Sequence, residues 1–119
     1  MATIYRVCSG NTTISINVTL STVGGCSDCQ TWYANYYNNE RCYQTYRLTL
    51  SQVSPTGFYV TVSIQYQTEL NGEPDSSGYY LQEVYVPAGV LSTDFEVMCE
   101  ERLSGSGSQN PTERYPTQV

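Results

Sequence analysis

Five cysteines and eleven carboxylates carry most of the chemistry open to this chain, because it has neither histidine nor lysine. Without histidine there is no imidazole general base, no Ser-His relay and no His-ligated metal. Cys26-Ser-Asp-Cys29 is a C-x-x-C. Together with Cys42 and Cys8 it could supply four thiolates for a closed tetrahedral zinc site. Such sites usually come as two close pairs, and only one is present. A redox C-x-x-C opens a helix in a βαβ context, whereas Gly24-Gly25 ahead of this one signals a loop. An odd count allows at most two internal disulfides and leaves one thiol over. Disulfide, buried free thiol and metal all remain open, and no cofactor is implied.

The carboxylates give a weaker signal. Glu83 and Glu96 fall in consecutive predicted strands, where two acids could face each other as they do in glycosidases. Strand alternation gives both an ordinary outward position, so no catalytic pair is named and no enzymatic activity is expected. Tyrosine is the over-represented residue, 12 of 119, with a single tryptophan. Tyr offers large, stiff, amphipathic contact area at small entropy cost. Trp32, Tyr33, Tyr36 and Tyr37 cluster in one segment. Tyr59 and Tyr85 take outward strand positions, and Tyr115 lies in a polar C-terminal stretch. These seven are the predicted interface residues, since interfaces favour Tyr and exclude Lys and Glu.

The elements that position them are strands. Ile14, Ile16, Val18 and Leu20 alternate with Thr13, Ser15, Asn17, Thr19 and Ser21, the pattern of a half-buried strand. Tyr46, Leu48 and Leu50 alternate in the same way. After Ser54-Pro55-Thr56-Gly57, so do Phe58, Val60, Val62, Ile64 and Tyr66. Pro and Gly in that turn suit a type I hairpin joining these two strands. Residues 79–86 and 93–101 read as further strands, and 3–8 as a first one. Composition makes 70–78 a loop. Residues 31–44 read as an ordered loop with one helical turn. No window shows an amphipathic helical period. Several short strands without helices imply an all-β, single antiparallel sandwich, Ig-like or jelly-roll-like, over residues 1–102.

From Leu103 the character changes. Ser104-Gly105-Ser106-Gly107-Ser108 is linker composition. The rest of 103–119 is too polar to offset its ordering entropy by burial. It is therefore expected as an extended C-terminal arm, given shape by a neighbouring subunit. Charged residues are only 13% of the chain, about half the usual share of roughly 25%, and the net charge is −6. That balance repels phosphates and excludes nucleic-acid binding. No run reaches the roughly 18–20 apolar residues of a spanning helix. The N-terminal residues lack the basic-then-apolar order of a signal peptide, yet the Thr, Ser, Tyr, Asn and Cys content looks extracellular. A virion protein, made in a host cytoplasm and working outside it, reconciles the two. Asn11-Thr12-Thr13 and Asn17-Val18-Thr19 fit the glycosylation triplet, which also arises by chance in Thr-rich strands.

Val84-Tyr85-Val86-Pro87-Ala88-Gly89, followed by Leu91-Ser92-Thr93-Asp94-Phe95-Glu96-Val97, is similar to the second half of Ig-like or Calx-beta-type sandwich modules. In these a strand ends in Pro-Ala-Gly and an aromatic-bearing strand follows. Pro stops the ladder, Gly permits the turn, and Phe95 and Val97 return to the core. The resemblance covers about residues 59–101. Such modules occur in tailed-phage virion proteins and bacterial surface proteins. Calcium-binding Calx-beta domains use clustered acidic loop residues; Glu69, Glu73 and Asp75 are the nearest counterpart and do not match residue by residue.

The resemblance and the arm together imply a structural protein of a bacteriophage virion: a capsid-decorating, connector, tail or fibre subunit. Its partners would be other copies of itself or other virion proteins. The alternative from another class is a secreted or cell-surface module binding carbohydrate or a receptor, or an extracellular filament subunit.

Overall fold

The period-two alternation is realised in a chain that is nearly all strand. The computed structural model describes residues 2–34, 37–70, 73–103 and 112–119. The strands are β1 (Ala2–Ser9), β2 (Thr12–Ala34), β3 (Tyr37–Leu50), β4 (Phe58–Leu70), β5 (Glu73–Val86), β6 (Ser92–Arg102) and β7 (Thr112–Gln118). They form one antiparallel sheet in the order β1-β2-β3-β6-β7-β4-β5. The described residues contain no helix, and so none long and apolar enough to cross a membrane.

The sheet is doubled over on itself. Ile16, Val18, Leu48, Leu50 and Val97, from β2, β3 and β6, share one core with Val60, Val62, Ile64, Val84 and Val86, from β4 and β5. Each of these side chains is buried, worth about 1.5–3 kcal/mol apiece by removal from water. The all-β class is as the alternation predicts. The layers, however, are two halves of one continuous sheet. At one end Tyr5 spans them: its hydroxyl accepts the Thr61 N–H at 3.0 Å, and its ring lies 5.9 Å from that of Phe58. At the other end β7 joins them. It pairs with β4 along residues 63–68 and with β6 at Glu100↔Glu113 and Glu101↔Thr112.

Residues 112–118 are thus not a free-standing arm but an interior strand of their own chain. Backbone ladder bonds to β4 and β6 hold this polar segment without needing apolar side chains. Thr112 is buried, and the Thr3 hydroxyl donates to the Val119 carbonyl at 2.7 Å. The linker-like residues 104–108 lie outside the described residues.

Three local expectations also change. First, β3 and β4 do not form a hairpin. The connection at 51–57 crosses between the halves, so the two apolar inner faces stack instead of lying side by side. Ser54 is buried within it, bonding Thr56 through its hydroxyl and the Gly89 N–H through its carbonyl. Second, 31–34 and 37–44 are strand. Their Trp, Tyr and Thr suit a pleated surface, and β2 and β3 pair from Asp28↔Tyr43 to Ala34↔Tyr37. Third, β4 and β5 continue to Leu70 and Glu73 through most of the expected loop. Pro74 is tolerated there because β5 is an edge strand, beside a register shift at Thr68/Glu69.

The molecule measures 60 × 24 × 22 Å. The apolar core occupies one part of that length, and the β2–β3 hairpin extends beyond it with residues 24–31 exposed.

Candidate interaction surface

Pairing register decides which tyrosines share a face. Directly opposed residues in an antiparallel ladder point the same way. Val60↔Val84 is inward, so Tyr59↔Tyr85, Thr61↔Glu83, Ser63↔Leu81 and Gln65↔Tyr79 are outward. Gln65 also opposes Tyr115 of β7. Tyr59, Tyr85, Leu81, Tyr79 and Tyr115 therefore stand on the outer face of three adjacent strands, with Tyr79 68% and Leu81 63% exposed. The Tyr59 and Tyr85 rings pack at 5.1 Å between centroids. Gly57 allows this, since a Cβ there would fall on the Tyr85 hydroxyl. A groove of about 530 Å³ runs along this face, floored by Thr61, Ser63 and Gln65 and walled by Tyr79, Leu81 and Val119.

The hairpin tip holds a separate group. Trp32, Tyr33 and Tyr37 lie at the far end of the β2–β3 ladder, with Trp32 opposite Asn39, Tyr33 opposite Asn38 and Tyr37 opposite Ala34. Successive residues alternate faces, so Trp32 and Tyr37 share one side and Tyr33 takes the other. Tyr36 lies outside the described residues. The Arg41 guanidinium sits 4.3 Å from the centre of the Trp32 ring and bonds Glu101 at 2.7 Å. One face of Trp32 is thereby covered. The predicted interface residues accordingly form two groups. Tyr79 and Leu81, which sequence reasoning left out, belong to the larger one. The inward phase of Val84 and Val86, carried four residues back along β5, would have found them.

The cysteines pair as Cys26–Cys99 and Cys29–Cys42, with Cys8 free and exposed. This overturns the four-thiolate zinc set. Cys8 lies opposite Thr13 near the start of β2. Thirteen strand residues, roughly 40 Å, separate that point from Cys26. Two disulfides also remove the thiolates. Cys29, Cys42 and Glu40 do bring donor atoms within 4.8 Å of one another, but the two sulfurs are bonded to each other. Cys29 and Cys42 are directly opposed residues. Cys26 lies in the irregular stretch between Val23 and Asp28, where Gly24 takes φ 74°. Cys99 is the extra residue of the register shift in the β3–β6 ladder. Two irregularities flanking β3 thus let β2 and β6 be bridged across it.

Glu83 and Glu96 do not face each other. Glu83 is on edge strand β5 opposite Thr61, and Glu96 is on β6 opposite Thr45. β5 and β6 follow one another in the chain but are not neighbours in the sheet. Three arginines are paired with carboxylates, Arg41 with Glu101, Arg47 with Asp94 and Arg102 with Glu100. Arg47 clasps Asp94 through two hydrogen bonds, which hold the Asp94 carboxyl below its usual range.

Fold and surface together define an all-β protein built on one doubled-over sheet with a tyrosine-bearing outer face. Comparison with protein-family models, with curated proteins and with solved structures finds no match to the chain.

Proposed function

We propose that the chain is a non-enzymatic structural subunit that works by burying the outer face of β4, β5 and β7 against a neighbouring molecule. A bacteriophage virion, in which it would be a decorating, connector, tail or fibre subunit, is the setting we favour. One observation carries this reading: Tyr59, Tyr85, Leu81, Tyr79 and Tyr115 are all exposed on one face of three adjacent strands. Monomeric proteins rarely expose large contiguous apolar patches without a use for them. The low charge content suits permanent contact. The mechanism needs no donated arm, because β7 belongs to its own sheet.

A second reading, a secreted or surface module binding carbohydrate or a receptor, is favoured by the two disulfides, which persist in oxidising surroundings. It would use the Trp32 hairpin. Leu81→Asp separates the two. Under the first reading, wild-type chain self-associates or binds its isolated particle, and the variant sediments as a monomer with an unchanged melting temperature. Identical sedimentation of the two proteins, with glycan-array binding retained by both, would transfer support to the second.

A further inference from the structure

Arg114 is the basis of a second site, on the opposite side of β4 from the tyrosine face. Register places Arg114 opposite Tyr66 and Thr112 opposite Thr68. Tyr80 opposes Ile64 on the same inward side of β4. With Met98 from β6, these residues line a pocket of about 440 Å³ where β7 passes between β6 and β4. That volume falls within the range of small-ligand sites, roughly 300–1,000 Å³. The wall depends on Gly78: a Cβ there would come within 2.7 Å of the Tyr66 hydroxyl, so its absence is what lets Tyr66 lie across β5.

The electrostatics of the pocket are unbalanced. Three of the five arginines are engaged with carboxylates, Arg41 with Glu101, Arg47 with Asp94 and Arg102 with Glu100. Among the described residues, no carboxylate lies within 4.0 Å of Arg114. Its Nη1 is shielded from solvent and has no hydrogen-bond partner there. A guanidinium N–H that has lost water and gained nothing is destabilising until an acceptor arrives. Arg6 also has no carboxylate within that distance but is exposed to water. In a chain with eleven carboxylates and a net charge of −6, Arg114, with a shielded N–H and no acceptor, marks a place where the acceptor comes from outside.

We propose that this pocket binds a small organic monocarboxylate, with Arg114 as its ion-pairing group and the Tyr66 and Tyr80 rings packing on the ligand body. The guanidinium fork matches a planar carboxylate in geometry. A single cation in a strongly acidic molecule disfavours polyanions, which the surrounding field repels. Aromatic walls favour a ring-sized body, whether a sugar acid or an aromatic acid. The site does not depend on the tyrosine face, and either can fail without the other.

The test uses the full chain and three probes: glucuronate, benzoate and, as the neutral control, methyl glucoside. Backbone amide shifts are followed by NMR. Saturable shifts at Thr68, Tyr80 and Thr112 are expected with at least one carboxylate at millimolar concentration, and none with methyl glucoside. The stronger of the two acids identifies the ligand body. Arg114→Gln should weaken binding about tenfold or more, with Arg114→Lys intermediate. Gly78→Ala keeps the charge but displaces Tyr66, and should weaken binding less than loss of the charge. Should Arg114→Gln fail to fold, the wild-type contrast between acid and neutral probe still decides. No saturable shift with either acid, equal shifts with methyl glucoside, or undiminished binding by folded Arg114→Gln would each overturn the proposal.

Discussion

Tyr46 shows how one side chain links packing to pH. It lies in the row Thr22–Tyr46–Phe95 across β2, β3 and β6, its ring 5.9 Å from that of Phe95. Its hydroxyl donates to the Gln44 amide oxygen at 3.2 Å. Burial pushes its phenol above the usual value, because the phenolate would be poorly solvated there. The unfolded chain releases this proton near pH 10, while the folded chain still holds it. Stability is therefore complete below that pH and declines as pH rises from the unfolded value to the raised folded one. In urea unfolding at pH 8 and pH 10.5, wild-type protein should lose more stability than Tyr46→Phe. Equal losses would show that Tyr46 does not resist ionisation. At this scale much was legible in the sequence. The inward phase of Ile16, Val18, Val60 and Val62, and the outward phase of Tyr59 and Tyr85, follow from period two alone. Arg114 was not legible, because its surroundings are made by β4, β5 and β6, up to fifty residues away in the chain.

At the scale of elements, β7 is where local reasoning named the wrong companion: the segment pairs with β4 and β6 of its own chain. Thr112–Gln118 cannot order itself, since only Tyr115 offers sizeable apolar surface. What orders it is the pair of ladders to β4 and β6, a non-local event that composition does not encode. Truncation after Leu103 should therefore damage the fold itself. Residues 63–68 of β4 would become an unpaired edge, and Thr112 would leave its buried position. The ladders to β4 and β6 contribute about 1 kcal/mol for each net hydrogen bond, and the ordering entropy recovered when the segment is removed offsets most of that, so a net loss of roughly 2–3 kcal/mol, or on the order of 10 °C in Tm, is expected. Faster amide exchange at residues 63–68 should accompany it. A truncated chain that melts with the wild type would mean that β7 adds nothing to the sheet. The β3–β4 connection carries a related lesson. The expected type I turn is not formed: the Ser54 carbonyl accepts from the Gly89 N–H and the chain only bends at Pro55 and Thr56, because whether two flanking strands pair or stack depends on where their apolar faces find partners.

The whole molecule is long and narrow, and its apolar core does not fill it. Past Val97 and Tyr46, the sheet is held by Cys26–Cys99 and Cys29–Cys42 in place of buried aliphatic side chains. Each bridge contributes typically 2–4 kcal/mol. Reduction should therefore act unevenly. Amides at 26–34 and 37–43 should lose exchange protection at reductant concentrations that leave 14–20, 48–50 and 60–64 protected. One cooperative loss over all of them would show that the two regions are a single unit. That the cysteines pair at all was only one of three open readings in the sequence; the pairing itself depends on irregularities at Val23/Asp28 and Cys42/Tyr43 that no spacing reveals.

The strand that joins the halves follows every strand it joins in chain order. On the ribosome, the β4–β5 half is complete at Val86 and the β1-β2-β3-β6 half at Arg102, so both present raw facing edges before Thr112 begins the seam that closes them. Closing it requires partners distant in sequence, which makes the final step intrinsically slow. Throughout that interval, open edges on neighbouring nascent chains can pair with each other. Yield in a cell should therefore fall as nascent copies are crowded closer together, whatever the stability of the finished sheet.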